Sequence, residues 1–147
     1  MRGVDYLVGK HDFEKLKASQ FMEGNVTTCF QGTKAETVAM SITTGHFGSL
    51  PVVDEERRLV GIVSEFDLLR ALRTGKNLDK VTVQELMAPQ PVSVREGVVA
   101  DDLMKILDEN HFIRVPVVDD DNKVIGVVSR TDILKGYLYA DVDEMPW

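Results

Sequence analysis

The chain has 147 residues, of which 44% are apolar and 28% charged, a length and balance suited to one globular domain or two small, closely joined ones. Its apolar runs fall far short of the roughly 20 residues a bilayer-spanning helix needs, and Asp5, His11, Asp12 and Glu14 interrupt the stretch where a secretory h-region would lie. A net charge of −7, with eight Lys or Arg against fourteen Asp or Glu beyond residue 75, argues against a nucleic-acid surface; Cys29, the single cysteine, excludes an intramolecular disulfide and makes the cytoplasm the expected setting.

In chain order, Phe13, Leu16, Phe21 and Met22 suggest a short helical segment. Val26 to Phe30 is a β-prone run. Thr33 and Glu36 then have capping-box spacing at a helix start, Ala35, Val38, Ala39 and Ile42 give that helix one apolar face, and Gly45 is placed to end it. Leu50 to Val53 and Leu59 to Val63 read as strands of a hairpin around the polar turn Asp54 to Arg58. Ser64-Glu65-Phe66-Asp67 opens a second helix whose Phe66, Leu69 and Leu72 predict its buried side, with Gly75 closing it. A linker, Arg73 to Lys80, follows, and Thr82 with Glu85 again has capping-box spacing before Val83, Leu86 and Met87.

The pattern then recurs at an offset of 65 residues without a gap. HFGSLPVVDEERRLVGIVSEFD from His46 becomes HFIRVPVVDDDNKVIGVVSRTD from His111, and Met22, Gly32 and Ala35 pair with Met87, Gly97 and Ala100. Val92 to Val94, a helix from about Val99 to Glu109, strands Val115 to Val118 and Val124 to Val128, and a helix from Arg130 repeat the order. Val98 replaces Thr33, so the second copy lacks that cap. Two copies of one supersecondary unit follow, each short of faces to bury its own apolar surface. The division this suggests is 1–77, with the N-terminal helical segment, and 78–147, with an acidic tail whose Trp147 is expected to pack on the module.

Catalytic patterns are weak. His11, His46 and His111 lack zinc-site spacing, and Cys29 on an apolar strand reads as a buried, inert thiol. Asp119-Asp120-Asp121-Asn122 lacks the glycine and glutamate of a calcium loop and reads as a solvated hairpin turn. Neither familiar phosphate-loop motif occurs. His46 and His111 read as local structural residues beside the loop anchors Phe47 and Phe112.

What stands out is Gly-x-x-Ser-x-x-Asp, at Gly61-Ser64-Asp67 and Gly126-Ser129-Asp132. Structurally, serine is a good N-cap, an acid three residues later completes a capping box, and each glycine relieves crowding at the strand. Functionally, N–H groups and a hydroxyl at a strand-to-helix turn can receive phosphate, while the aspartate can accept from both hydroxyls of a ribose. The short strands beginning near Thr27 and Val92 are candidates to border an adenine slot.

Together, the two h-P-V-V-D hairpins and their G-h-h-S-x-x-D ends resemble a tandem pair of cystathionine-beta-synthase (CBS) domains, the Bateman-type regulatory module, over nearly the whole chain. The resemblance implies an α+β fold of two tandem β-α-β-β-α units packed through their sheets as a pseudo-two-fold pair, with clefts between the repeats. It implies no catalysis, a homodimer, and a regulatory adenosine nucleotide (AMP, ADP or ATP) sensed on behalf of another protein, with no nucleic-acid or membrane partner. Carried over by position, Asp67 and Asp132 match ribose-binding acids, Ser64 and Ser129 the hydroxyl near phosphate, and Arg114 the basic phosphate contact. Arg130 and Thr131 are further candidates beside Ser129. Ser49 stands opposite Arg114 and Glu65 opposite Arg130, which predicts unequal sites with the Asp132 site the tighter. Three alternatives stay open: another adenosyl ligand such as S-adenosylmethionine; a ligand-free dimerisation module in which these motifs serve only as caps; and nucleotide hydrolysis, for which the sequence offers no well-supported general base or metal constellation.

Overall fold

The computed structural model describes residues 13–139, so His11 and Trp147 lie outside the described residues. A 3-10 turn at Phe13–Lys15 and α1 (Ala18–Phe21) precede the first copy, which runs β1 (Cys29–Phe30), α2 (Ala35–Gly45), β2 (Ser49–Val53), β3 (Leu59–Ser64) and α3 (Glu65–Arg73). After α4 (Val83–Leu86) and β4 (Ala88–Pro89), the second copy runs β5 (Val94–Arg95), α5 (Ala100–Asn110), β6 (Arg114–Val118), β7 (Val124–Ser129) and α6 (Arg130–Leu138). Both copies are thus β-α-β-β-α, as the repeat predicts.

The first sheet has the order β1-β2-β3-β4 and is mixed: β1 pairs parallel to β2, and β2–β3 and β3–β4 are antiparallel. The second has the order β5-β6-β7, with β5 parallel to β6. Central strands β2 and β6 are buried along Leu50–Val53 and Val115–Val118, whereas β3 and β7 alternate buried and half-buried positions. That difference reflects a strand covered on both faces beside one that shows a face to less crowded surroundings. Pro51 is tolerated in β2 because β1 starts pairing only at Val52, and the Pro51 carbonyl accepts instead from the Cys29 thiol at 3.8 Å.

The chain forms two compact units that do not simply follow the linear repeat. One comprises Val26–Val92 and Asp119–Val124; the described part of the other comprises 13–25, Ser93–Val118 and 125–139. The segment preceding each copy therefore belongs to the unit of the other copy. In the first unit, Ala35 N–H donates to the Val81 carbonyl at 2.9 Å and Val83 N–H to Thr33 at 2.8 Å. In the second, Ala100 N–H donates to Leu16 and Ala18 N–H to Val98, both at 2.7 Å, repeating the same clasp 65 residues away. Glu23 and Val127 add a two-bond bridge at 2.9 and 3.0 Å.

Each unit has its own core. Val38, Leu50, Val52, Val63 and Val83 are at most 2% exposed in the first, and Leu103, Val115, Val117 and Val128 are fully buried in the second. Each such side chain contributes about 1.5–3 kcal/mol by leaving water. Gly61 and Gly126 admit the methionine of the clasping segment: a Cβ on Gly61 would collide with Met87 Sδ and lie 3.1 Å from the Ala88 carbonyl, and one on Gly126 would lie 2.9 Å from Met22 Cγ.

Several local expectations need correction. The Thr33–Glu36 capping box does not form; α2 begins at Ala35 after Lys34, and Thr33 Oγ1 instead accepts from Phe30 N–H at 3.1 Å inside a turn. The left-handed residue closing α2 is His46 (φ 57°), matched by His111 (φ 55°) after α5, while Gly45 leaves room for the Phe47 ring. Phe66, Leu69 and Leu72 do not face the core: they are 71%, 58% and 53% exposed, and α3 buries Asp67, Leu68 and Ala71. Gly75 does close α3, at φ 85°, with Gly75 N–H donating to Leu72 and Lys76 N–H to Ala71, the two bonds of a Schellman end.

Candidate functional site

Each copy delivers its Ser and Asp to a strand-to-helix turn. β3 ends at Ser64, extended at φ −115° and ψ 167°, and the chain turns directly into α3. Asp67 N–H donates to Ser64 Oγ at 3.2 Å, and Asp67 Oδ2 accepts from the Ser64 N–H at 2.8 Å and from its hydroxyl at 3.0 Å. In the second copy Asp132 N–H donates to Ser129 Oγ at 3.0 Å and Ser129 N–H to Asp132 Oδ2 at 2.8 Å. The capping-box reading of both motifs is therefore met, and it fixes each carboxylate by one oxygen.

The other oxygen separates the copies. Asp67 is only 8% exposed, and its Oδ1 is held by the guanidinium of Arg70, one helical turn on. Asp132 is half-buried, its Oδ1 takes no hydrogen bond or ion pair from any described residue, and Lys135 stands where Arg70 does.

Arg114 and Ser49 begin β6 and β2 and are both half-buried. Ser49 is in register with Ser64. The turns are tied to the neighbouring strand in matching ways, Glu65 N–H donating to Gly48 at 3.1 Å and Arg130 N–H to Ile113 at 2.9 Å, which brings the start of β6 beside Ser129. Arg130 and Thr131 are exposed in the first turn of α6. Arg130 also lines a cavity of about 350 Å³ between α5 and α6, with Met104, Leu107, His111, Phe112 and Ile133. Of the candidates near the short strands, Thr27 is exposed two positions ahead of β1 and Val92 is 42% exposed two positions ahead of β5, both in the first unit.

His46 and His111 are exposed helix ends beside Phe47 and Phe112, which pack partly buried against the two cores. Burial pushes the Cys29 thiol up to about 11, so it is protonated and unreactive at neutral pH. Among the described residues no three His, Cys, Asp or Glu side chains converge on a metal-sized site, and no helix is long and apolar enough to cross a membrane. Arg70 was not singled out from sequence, although an arginine three positions after a helix-capping acid is a readable pairing signal.

A duplicated strand-to-helix turn on two β-α-β-β-α units with mixed sheets defines a tandem-repeat α+β module. The CBS domain family model matches residues 18–74 and 83–139, and the chain belongs to that family as a tandem, Bateman-type pair. It is 32% identical over 119 residues to an uncharacterized protein of Methanopyrus kandleri, a match covering 77% of this chain and 61% of that one. It is also 32% identical over 116 residues to the chloroplastic CBS domain-containing protein CBSX2 of Arabidopsis thaliana, covering 60% and 49%. The chain thus spans less than two thirds of these relatives. Among solved structures, CBSX2 from Arabidopsis thaliana superposes with a TM-score of 0.78 at 27% identity, covering 87% of this chain and 98% of that one. CBSX2 in complex with AMP gives 0.73 at 29%, covering 83% and 96%. The CBS domain pair of protein MJ0100 in complex with 5-methylthioadenosine and S-adenosyl-L-methionine gives 0.72 at 26%, covering 81% and 93%.

Proposed function

We propose that this chain is a non-catalytic regulatory module that binds an adenosine nucleotide (AMP, ADP or ATP) at the Ser129–Asp132 turn and reports its presence to a partner protein. The observation that carries the reading is Asp132: a carboxylate fixed through Oδ2 at the N-terminus of α6, its Oδ1 unengaged by any described residue. Such an oxygen can accept from ribose hydroxyls, while the Ser129 and Thr131 hydroxyls and the positive end of α6 suit a phosphate and Arg114 supplies charge. The AMP and S-adenosyl-L-methionine complexes of the similar CBS pairs support an adenosyl ligand. Asp67 and Ser64 are the weaker counterpart, with Thr27 and Val92 as candidates to border an adenine slot. Occupancy becomes a signal where ligand binds two arrangements of the module with different affinity.

Isothermal titration with AMP, ADP, ATP and S-adenosylmethionine tests this. Losing charge-assisted bonds to ribose, Asp132→Asn is expected to weaken binding by about ten- to a hundredfold while the protein keeps its fold by circular dichroism. No saturable binding of any of the four ligands to folded wild-type protein sinks the proposal.

A second reading is favoured by the exposed stripe of Phe66, Leu69 and Leu72 on α3: a module whose main activity is homodimerisation through helical faces. Under that reading Phe66→Glu shifts the protein to monomer in sedimentation, and Asp132→Asn changes only stability.

A further inference from the structure

We infer that Arg70 is an intramolecular latch that holds the first copy's aspartate closed to ligand, so that residue 70 and its equivalent, Lys135, set how many adenosine ligands the module takes. This rests on the reading of Asp132 as a ribose acceptor and extends it to a residue outside the repeated motif.

Three observations carry it. Asp67 and Asp132 occupy equivalent turns and are held alike through Oδ2 by the serine one turn earlier. Among the described residues only Asp67 has its second oxygen engaged, by Arg70, and of the two acids only Asp67 is buried. The residue that differs is the one three positions on: a planar fork that matches carboxylate geometry in the first copy, and in the second a flexible ammonium not paired with the acid. A carboxylate offers about four acceptor positions, and with two taken at Oδ2 and the guanidinium at Oδ1, a vicinal diol has to displace Arg70 to bind. Arg70 itself is 61% exposed, so solvent can receive it, and the latch opens at modest cost.

The arrangement gives opposite results for one chemical change in the two copies. Arg70→Lys keeps the positive charge, removes the fork and gives copy one the residue of copy two; Lys135→Arg does the reverse. In an Asp132→Asn background, which reports on the first site, Arg70→Lys is expected to tighten AMP binding by about two- to fivefold, the range of an exposed ion pair. In the Asp67→Asn background, Lys135→Arg is expected to weaken AMP binding by a similar factor. Thermal melts that overlay wild type show that the exchanged side chains leave the fold intact. Unchanged affinities in both exchanges, with binding still weakened by Asp132→Asn relative to wild type, overturn the latch and leave the Asp132 site standing. Equal affinities at the two sites of the wild-type protein also overturn it. No AMP binding by any variant overturns the latch together with the reading beneath it.

Discussion

Replacing Gly126 by alanine tests why the repeated motif starts with glycine. The new Cβ would sit against Met22, 2.9 Å from Cγ and 3.1 Å from Cβ, so swinging the thioether tip aside does not remove the conflict. Adding a methyl to a packed site costs about 1–3 kcal/mol, offset by about 0.4–1 kcal/mol from the smaller unfolded-state entropy of alanine. A net loss of about 1–2 kcal/mol is expected, read as a lower urea midpoint at unchanged slope. Met22→Ala removes Sδ and Cγ. In the double variant the two losses should fall short of additivity by about 1 kcal/mol, because neighbours in contact couple. Additivity to within about 0.5 kcal/mol would refute packing against Met22 as the reason for glycine. AMP affinity of Gly126→Ala should stay at the wild-type level, since Gly126 is buried within β7, three residues before Ser129.

Cys29 should resist iodoacetamide in the folded protein at pH 8 and react promptly in urea, because its thiol is raised from 9.0 to about 11 by burial. The sign follows: the fold favours the protonated thiol, so this contribution to stability is complete below about pH 9 and is lost as the pH rises toward 11. A pH series of urea midpoints that declines less steeply above pH 9 in Cys29→Ala confirms it. On α3, Leu68→Ala should cost about 2–5 kcal/mol, whereas Phe66→Ser should change monomer stability by less than about 0.5 kcal/mol; comparable losses in denaturant titrations would contradict the observed burial. Ser129→Ala should lower stability by about 0.5–2 kcal/mol through its lost cap; Thr33→Ala, which removes a turn contact and no helix cap, should cost less.

The duplicated architecture was legible because each local signal agreed with the next. Strands of Pro-Val-Val, a polar turn, an alternating strand and a serine cap leave little room for another order, and the 65-residue offset supplies each element twice. Helix faces were harder. On α3 the most apolar stripe, Phe66, Leu69 and Leu72, turns outward, and the chain buries Leu68, Ala71 and the carboxylate Asp67. Periodicity shows that a helix has an apolar face but not what covers it, and a face kept for another partner has the same spacing as one kept for the core. The exchange of leading segments was equally hidden, because a short helix with a methionine end clasps a sheet of its own copy or of the other with the same sequence.

For the site, motif positions were legible and their states were not. Ser64 with Asp67 and Ser129 with Asp132 read alike as letters, and both form the predicted cap. What distinguishes them is a long side chain one turn away, and sequence alone does not say whether Arg70 reaches back to the acid or lies in solvent. That choice is set by burial. Asp67, almost removed from water, is costly to leave with a bare oxygen, and the guanidinium satisfies it. Asp132, half in water, has no such need, and Lys135 is left unpaired with it. The departures at Ser49 opposite Arg114 and Glu65 opposite Arg130 point the same way, the first removing positive charge at the start of β2 and the second replacing it with negative charge in the first turn of α3. Under the proposed reading, these differences make the Asp132 copy the open one, so that one duplicated fold carries two unequal sites.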